Sequence, residues 1–326
     1  LSGSHIPCYP LLCPLVPLVD PWGLLWAIWG LVVDHWGLLG VFIPYGVRGW
    51  ACLDYWGSGG GVYMIDTFSR LIRGCVFMPV FKLPLEGQIM SKYGMILEEN
   101  INEDYVVIMT YSSGNIKTGN MLQTWILCIS EDPVTAGQNG KDSIVCGDCI
   151  HRDGSCYVNK GQAPLSVWKT YKKGKYESLN FERLEYITFN RKIRFGAYGD
   201  PVLLDLSIYE FLINECQIKG WTGYTHQWKD LKLDGYKSYL MASVDDPLEY
   251  GLSVNMGWRS FRVGSDDSTL DGEIVCPNVK EKRLLCIDCG LCDGLGRHKN
   301  GKNIVVPVHG SPSVIKAYNR IEIATV

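Results

Sequence analysis

Seven of the thirteen cysteines lie in two clusters, more than a hundred residues apart, at spacings typical of metal ligands. The first cysteine cluster has the spacing C-x2-C-x6-C and consists of Cys146, Cys149 and Cys156. The second cysteine cluster has a Cys-Pro pair before a C-x2-C-x2-C triplet and consists of Cys276, Cys286, Cys289 and Cys292. Two intervening residues let the backbone turn sharply enough to aim successive thiolates at one centre. The spacing therefore predicts metal or iron–sulfur chemistry.

The second cysteine cluster contains enough thiols to close a metal site by itself. Four thiolates can ligate one [4Fe–4S] cluster, and the Cys276-Pro277 pair is an element of ferredoxin-type ligand sets, although here it precedes the triplet. A zinc ion also takes four thiolates, and C-x2-C is its usual ligand pair. Both metals are open at this point, and the third cysteine of the triplet favours iron–sulfur.

The first cysteine cluster offers only three thiols. Three thiolates on a [4Fe–4S] cluster leave one iron free to bind a substrate or a cofactor. His151 lies between the second and third cysteines, and as a fourth ligand it would instead close a structural zinc site. The open iron–sulfur cluster is the favoured interpretation because the motif follows soon after a predicted strand.

Predicted strands and helices alternate from residue 105 onward. The strands are short runs rich in β-branched and aromatic residues, and helices begin near a proline or a capping residue. The predicted strands are 105–111, 124–129, 192–198, 220–225, 238–244, 260–263 and 303–308. The predicted helices are 164–173, 180–186, 207–216 and 246–256. This alternation predicts the α/β class with a parallel sheet, as a TIM-barrel-like (βα) fold or a partial barrel.

Polar side chains follow several of these strands, and a parallel sheet collects such residues at one edge. The candidates for catalytic, acid–base or positioning roles are Asp200, His226, Asp245 and His309. The candidates for binding a cofactor at the same strand ends are Gly199 and Gln227. An aspartate after a strand can also simply cap the next helix, and Asp246 fits that alternative well.

Residues 1–63 differ in composition from the rest of the chain. They contain six of the eleven tryptophans and a seven-residue Trp-Gly-Leu repeat that begins at Trp22, Trp29 and Trp36. Such short-period repetition is typical of low-complexity sequence. A membrane anchor and a signal peptide are two interpretations, and the favoured third one is that an over-extended gene adds a segment that is not native protein. Residues 64–104 form an N-terminal region without a clear pattern, and 105–326 form a single α/β domain with both cysteine clusters.

Charge and cysteine usage bear on compartment and partners. The formal net charge is −3 and the pI is about 6.1, so the chain lacks the basic footprint of a nucleic-acid-binding protein. C-x2-C spacing in a chain of this size fits the reducing cytoplasm better than a disulfide framework. The expected partners are a small-molecule or macromolecular substrate and an electron donor, with no strong nucleic-acid signal and no membrane.

Residues 105 to 310 carry a specific combination of motifs. They are Asn115-Ile-Lys-Thr-Gly119, Cys146-x2-Cys149-Ile-His-Arg152, Cys156-Tyr-Val158, Gly161-Gln-Ala-Pro-Leu-Ser166, Gly199-Asp200-Pro201, Gly223-Tyr-Thr-His-Gln-Trp228, Gly257-Trp-Arg259 and Cys289-Gly-Leu-Cys292. This combination resembles an uncharacterised family found mainly in bacteriophages and some bacteria. The resemblance implies a phage-encoded protein of the host cytoplasm, and it brings no biochemical role.

The arrangement is also distantly similar to radical S-adenosylmethionine enzymes, whose three-cysteine [4Fe–4S] cluster lies at the mouth of a partial TIM-like barrel. Here C-x2-C-x6-C replaces the C-x3-C-x2-C of that superfamily, so the similarity is one of fold and ligand count. It implies S-adenosylmethionine as a further cofactor. We therefore expect a redox or radical-type enzyme with one or two [4Fe–4S] clusters. The alternative is a non-catalytic zinc protein that acts through protein or nucleic-acid contacts.

Overall fold

A computed structural model of the chain describes residues 91–281, 284–297 and 301–325, together with five short strands between residues 18 and 53. The chain divides into two compact units, Leu1–Met78 and Pro79–Val326. The strands of the first unit are β1 (Leu18–Asp20), β2 (Gly23–Leu25), β3 (Gly30–Val33), β4 (Leu39–Phe42) and β5 (Cys52–Leu53). All their pairings are antiparallel. The interpretation of residues 1–63 as non-native sequence falls mostly on residues outside those described.

The second unit begins with a six-stranded sheet in the order β11-β10-β8-β7-β6-β9. Its strands are β6 (Gly94–Asn100), β7 (Tyr105–Thr110), β8 (Leu122–Cys128), β9 (Glu177–Ser178), β10 (Lys192–Tyr198) and β11 (Gly220–Thr222). β6, β7 and β8 pair antiparallel, whereas β8, β10 and β11 pair parallel. β7 and β8 are buried along their whole length, as expected for central strands covered on both faces. They form the centre of the main core.

A five-stranded sheet follows, and every pairing in it is parallel. Its strands are β12 (Tyr224–Thr225), β13 (Met241–Val244), β14 (Ser260–Gly264), β15 (Glu273–Val275) and β16 (Asn303–Pro307). Their order is β12-β13-β14-β16-β15. β13, β14 and β16 are therefore central, and a buried apolar cluster forms around Met241, Ile304 and Val306.

Gly223 connects the two sheets, since it is the single residue between β11 and β12. Its N–H donates to the Cys292 carbonyl at 2.9 Å, and its carbonyl accepts from Met241 N–H at 3.0 Å. A Cβ here would lie 2.6 Å from Leu240 Cδ2 and 3.0 Å from Phe195 Cβ, so glycine permits this close approach. The predicted α/β class with parallel strands is confirmed. The described strands of the second unit form two open sheets and do not close into a TIM barrel.

The described residues of the second unit include nine α-helices. They are α1 (Pro133–Asn139), α2 (Ser143–Cys146), α3 (Ala163–Lys172), α4 (Phe181–Thr188), α5 (Leu206–Glu210), α6 (Pro247–Asn255), α7 (Pro277–Lys280), α8 (Cys286–Cys289) and α9 (Pro312–Thr325). Side chains of Asp132, Asn180 and Asp246 accept backbone N–H groups and so cap α1, α4 and α6. Within the described residues, no helix has the length and apolar character that crossing a membrane requires.

Two of the differences between the structure and the predicted elements concern β6 and β13. Residues 94–100 form β6, which pairs with β7 although its region showed no clear pattern in the sequence. The strand predicted over 238–244 is shortened to β13, because a 3-10 helix occupies Leu231–Ser238. Both segments mix apolar with charged residues, so local periodicity is a poor guide to them.

Candidate metal centre

The first cysteine cluster lies in the segment between α2 and α3. Cys146 is the last residue of α2, Cys149 precedes a 3-10 turn (Ile150–Asp153), and Cys156 follows that turn. The chain changes direction after α2 at Gly147, whose φ of +59° suits glycine. The three sulfurs therefore belong to one compact loop.

Two cations brace this loop through one buried carboxylate. Asp142 is 1% exposed, and it accepts from Arg152 Nε at 3.1 Å and from Lys160 Nζ at 2.6 Å. Arg152 Nη1 also donates to the Gly147 carbonyl at 2.8 Å. The arginine of the Cys-Ile-His-Arg motif thus holds the cysteine loop in shape.

Burial and mutual repulsion keep the thiols of this loop protonated. Burial raises the pKa of Cys149 to about 12, and the charge of Cys156 adds to that rise. Burial likewise raises the pKa of Cys146, with further contributions from Asp142, Cys149 and Cys156. Burial is the largest cause of both rises, and charges on neighbouring cysteines add to them. A metal ion would supply the positive charge that favours the thiolates.

His226, at the end of β12, contacts the same loop. Its Nε2 lies 3.7 Å from Cys149 Sγ. Its backbone N–H donates to Asp200 Oδ2 at 2.9 Å, and Asp200 also accepts from Val202 N–H at 3.2 Å. Asp200 is 6% exposed, and burial raises its pKa. The structure therefore places Asp200 behind His226 as an anchor of its backbone.

His151 and Asp245 meet beside His226. His151 is 5% exposed, its Nδ1 lies 2.7 Å from Ser155 Oγ, and its Nε2 lies 2.7 Å from Asp245 Oδ1. Burial alone would raise the pKa of Asp245, but the hydrogen bond and charge of His151 outweigh it and hold that pKa below its usual value. The His151 ring stacks on Tyr318 of α9, with centroids 5.9 Å apart. Asp245 is therefore a carboxylate held against an imidazole.

His309, which follows β16, lies next to the third cysteine. Its ring stacks on Tyr157 with centroids 4.7 Å apart, and its Nδ1 lies 2.9 Å from the Pro307 carbonyl oxygen. Burial raises the pKa of Tyr157 to about 12, and the charge of Asp245 acts in the same direction. His309 thus shares the neighbourhood of the first cysteine cluster but makes its ring contact with Tyr157.

The two residues predicted to bind a cofactor lie at this edge and have local contacts. Gly199 has a φ of +76°, and a Cβ there would lie 2.6 Å from Ile126 Cβ. Gln227 packs over Gly147, and its Nε2 donates to Asp148 Oδ1 at 2.9 Å. Both residues therefore contribute to the packing of the cysteine loop against the strand ends.

The second cysteine cluster lies between β15 and β16. Cys276 follows β15, α8 contains Cys286 and Cys289, and Cys292 comes after Gly290. The loop before β8 supports α8, since the Lys117 and Thr118 carbonyls accept from the backbone N–H groups of residues 286 and 287. The Cys292 carbonyl accepts from Gly223, which lies three residues before His226. One strand junction therefore reaches both cysteine clusters.

The thiols of the second cysteine cluster interact electrostatically with one another. Burial raises the pKa of Cys292, and the charges of Cys276, Cys286 and Cys289 add to the rise. Cations act in the opposite direction, namely Arg259 on Cys292, Arg194 on Cys286 and Lys117 on Cys276. Backbone N–H groups of Asn278 and Val279 also favour the Cys276 thiolate. Cations and N–H donors around four sulfurs suit an anionic metal–thiolate centre.

A buried arginine holds the segment that carries Cys292. Arg259 is 3% exposed, and its Nη1 donates to Asp293 Oδ1 at 2.9 Å and to the Gly294 carbonyl at 2.7 Å. Its Nη2 donates to the Leu291 and Lys302 carbonyls at 2.8 Å. The Gly-Trp-Arg motif thus fixes the backbone on both sides of Cys292.

Comparison of the chain with protein-family models, curated proteins and solved structures finds no match. The chemistry of the site therefore rests on its own donor atoms. Four thiols fit iron–sulfur or zinc, and the three thiols of the first cysteine cluster fit an iron–sulfur cluster with an open iron. Among the described residues, His151, His226 and Asp245 bring three ligand atoms within 4.8 Å of one another.

Three functional contacts have no counterpart in the sequence analysis. Ser155 orients His151, Tyr157 stacks on His309, and Arg259 clamps the Cys292 segment. The sequence predicts His151 as a ligand beside its own cysteines, whereas its Nε2 faces the Asp245 carboxylate 94 residues away. The sequence indicates Ser155 and Tyr157 only by their positions. Ser155 lies within the first cysteine cluster, and Tyr157 directly follows it.

Proposed function

We propose that the protein is an iron–sulfur protein and acts as a redox or radical-type enzyme. In this proposal the second cysteine cluster ligates one [4Fe–4S] cluster with four thiolates. The first cysteine cluster ligates another with three, and its fourth iron is free for a substrate or for S-adenosylmethionine. The observation that carries the proposal is the placement of the cysteines, three in the one loop between α2 and α3 and four in the segment between β15 and β16.

Zinc and a [4Fe–4S] cluster place their thiolates at different separations. A zinc ion holds four sulfurs at about 2.3 Å, which places them roughly 3.8 Å apart. The ligand group that the described residues bring within 4.8 Å contains no cysteine. In a [4Fe–4S] cluster each thiolate binds a different iron, so the sulfurs are further apart than around a single ion.

The positions of the two cysteine clusters suit electron transfer from one to the other. Gly223 contacts the Cys292 carbonyl, and three residues later His226 contacts Cys149. Three residues of strand span about 10 Å. We propose that the second cysteine cluster passes electrons to the first, with His226 and Asp245 as acid–base or positioning groups for an unidentified substrate.

We also propose that the two sheets are parts of one partial (βα) barrel. From β8 to β14 the parallel strands follow chain order, and Gly223 carries the chain from one sheet into the other. The first cysteine cluster would then lie at the carboxyl edge of the strands, where such folds bind ligands.

Anaerobic purification of the 326-residue chain tests the proposal. Two [4Fe–4S] clusters should give brown protein, broad absorption near 400 nm, and about eight iron and eight acid-labile sulfide ions per chain. Colourless protein with stoichiometric zinc would contradict the iron–sulfur function and favour the structural zinc alternative.

Cysteine variants test how the ligands are grouped. Cys149→Ala and Cys292→Ala should each lose about half of the iron and sulfide. Cys216→Ala is the matched control, because Cys216 is fully buried in the apolar core and belongs to neither cluster. If either single variant lost both clusters while remaining folded, the assignment of ligands would be wrong.

A further inference from the structure

A second set of ligand atoms lies beside the first cysteine cluster and contains no sulfur. It consists of one atom each from His151, His226 and Asp245, all within 4.8 Å of one another. Two imidazoles and one carboxylate are a donor set that holds zinc or ferrous iron and leaves coordination positions open. We propose that His151, His226 and Asp245 bind one divalent transition-metal ion, zinc or ferrous iron, separately from any iron–sulfur cluster.

The geometry requires only small side-chain movements. His151 Nε2 and Asp245 Oδ1 are already 2.7 Å apart. Ligand atoms at about 2.0–2.1 Å from one zinc ion are roughly 3.4 Å apart. The residues come from the cysteine loop and from the ends of β12 and β13, so the group is assembled by the fold rather than by one flexible segment.

Outer contacts orient each ligand. Ser155 is 1% exposed and lies 2.7 Å from His151 Nδ1, which turns His151 Nε2 toward the carboxylate. Metal-bound imidazoles usually make such a bond through their second nitrogen. Asp200 holds the backbone of His226, and the Asp245 backbone N–H donates to Glu249 Oε2 at 3.0 Å. The site is therefore organised before an ion binds.

The surrounding charges favour a cation. Besides Asp245 itself, the Asp200 carboxyl accepts from the His226 backbone N–H and the Glu249 carboxyl accepts from the Asp245 backbone N–H. Lys229 forms its ion pair with Glu249. The two imidazoles thus lie among three carboxyl groups, one of them paired with Lys229, and a divalent cation suits this setting.

The open positions of the ion would lie next to the first cysteine cluster. Cys149 Sγ is 3.7 Å from His226 Nε2, so the ion and the cysteine loop would share one pocket. The site goes beyond the proposed iron–sulfur function because its three ligands include none of the cysteines. A substrate held between them would meet a Lewis acid on one side.

Equilibrium dialysis of the 326-residue chain against Zn²⁺, and anaerobically against Fe²⁺, tests this site. We expect about one ion per chain beyond the iron that matches acid-labile sulfide. Asp245→Asn should weaken this binding at least about a hundredfold, since it replaces an anionic ligand with a neutral amide of similar shape. Ser155→Ala should weaken it by about 10- to 100-fold through loss of the outer contact, and it keeps all three ligands.

His309→Ala is the matched control, because His309 lies at the same edge but outside the group. It should bind Zn²⁺ with wild-type affinity, and circular dichroism should show that every variant is folded. Wild-type affinity in both Asp245→Asn and Ser155→Ala would overturn the proposal. So would a Zn²⁺ ion that is lost in Cys149→Ala and retained in Asp245→Asn, because that ion would be bound by thiolate.

The two proposals fail separately. A chain without acid-labile sulfide that still loses Zn²⁺ in Asp245→Asn retains this site and refutes the iron–sulfur function. A chain with the full content of iron and sulfide whose Zn²⁺ binding does not depend on Asp245 supports the iron–sulfur function and refutes this site.

Discussion

The buried thiols of the two cysteine clusters must lose their protons before they can bind a metal. Burial raises the pKa of the thiols at Cys146, Cys149 and Cys292, so these groups hold their protons in the metal-free protein. A bound metal must displace those protons, which links metal binding to proton release. The cations Arg194, Arg259 and Lys117 reduce that cost at the second cysteine cluster.

Arg259→Gln should be strongly destabilising. The change removes a guanidinium that is buried against Asp293, which is 0% exposed, and it also removes donors to three carbonyls. Breaking a buried ion pair on one side costs about 3–5 kcal/mol. Urea unfolding monitored by circular dichroism measures this loss.

Arg297→Gln is the matched control for that experiment. Arg297 pairs with the same carboxylate at 3.1 Å, but its side chain is 36% exposed. We expect a loss of about 1 kcal/mol or less. Equal losses in the two variants would contradict the role given to Arg259.

The sequence predicts the role of a single residue only where residue type and position in the chain are enough to indicate it. The polar strand ends predicted His226 and Asp245, and the structure brings both next to the cysteine loop. Asp200 looks equivalent in sequence, yet its carboxylate accepts backbone N–H groups. Such a difference depends on contacts between distant residues, which local spacing does not encode.

At the scale of secondary-structure elements, the strands were the most predictable part of the fold. β7, β8 and β10 are short runs of β-branched and aromatic residues, and such runs favour a pleated, buried strand. β6 and the 3-10 helix over Leu231–Ser238 depend on pairing with other segments, so their own sequences indicate them poorly. The helix starts at capping residues such as Asp246 were also readable from sequence.

Gly199→Ala should destabilise the protein through packing of β10 against β8. An alanine would adopt a φ of +76° and place its Cβ 2.6 Å from Ile126 Cβ and 2.7 Å from the Ile126 oxygen. The combined strain and crowding should cost about 2–4 kcal/mol, measured by thermal or urea unfolding.

Gly251→Ala in α6 is the control, because a Cβ there meets nothing within 4 Å. It should be neutral or stabilising by roughly 0.5–1 kcal/mol. A Gly199→Ala protein with wild-type stability would show that packing does not limit the residue type at this position.

The hairpin between β6 and β7 should contribute a measurable pH dependence. Burial raises the pKa of Asp104, but hydrogen bonds from Ser130 and the nearby Lys141 outweigh it and hold the pKa below its usual value. The stability from this carboxylate is therefore present above the unfolded pKa and is lost as pH falls through the lower folded pKa. Asp104→Asn keeps a residue that tolerates the φ of 60° at this position.

We therefore expect Asp104→Asn to lose less than about 1 kcal/mol at pH 7, because both members of the pair are partly exposed to solvent. Stabilities of the two proteins should converge as pH is lowered toward 3, measured by urea unfolding at each pH. A difference that grows in acid would contradict the sign of this contribution.

At the scale of the molecule, the second cysteine cluster ties together segments that are distant in sequence. α8 is hydrogen-bonded to the loop before β8, and the segment around Cys292 is bonded to Gly223 and to Arg259. A metal centre bound there would add its binding free energy to the stability of this whole region.

Removal of metal should therefore lower the melting temperature of the whole second unit. We expect a fall of roughly 5 °C or more after chelation, since about 2 kcal/mol shifts the melting temperature of a domain of this size by roughly 4–8 °C. Calorimetry before and after chelation measures it. Cys216→Ala should show the same shift as wild type, whereas Cys292→Ala should have a low melting temperature that chelation changes less.

The position of Gly223 between β11 and β12 has a consequence for slow opening of the fold. Its amide bonds to the Cys292 carbonyl, its carbonyl bonds to Met241, and His226 follows three residues later. Local unfolding of β11, Gly223 and β12 would expose the surroundings of both cysteine clusters in one event. Hydrogen exchange detects such a segment as one cooperative unit. The amides of Gly223 and Met241 should then exchange at one common rate, and occupying either cluster should slow both.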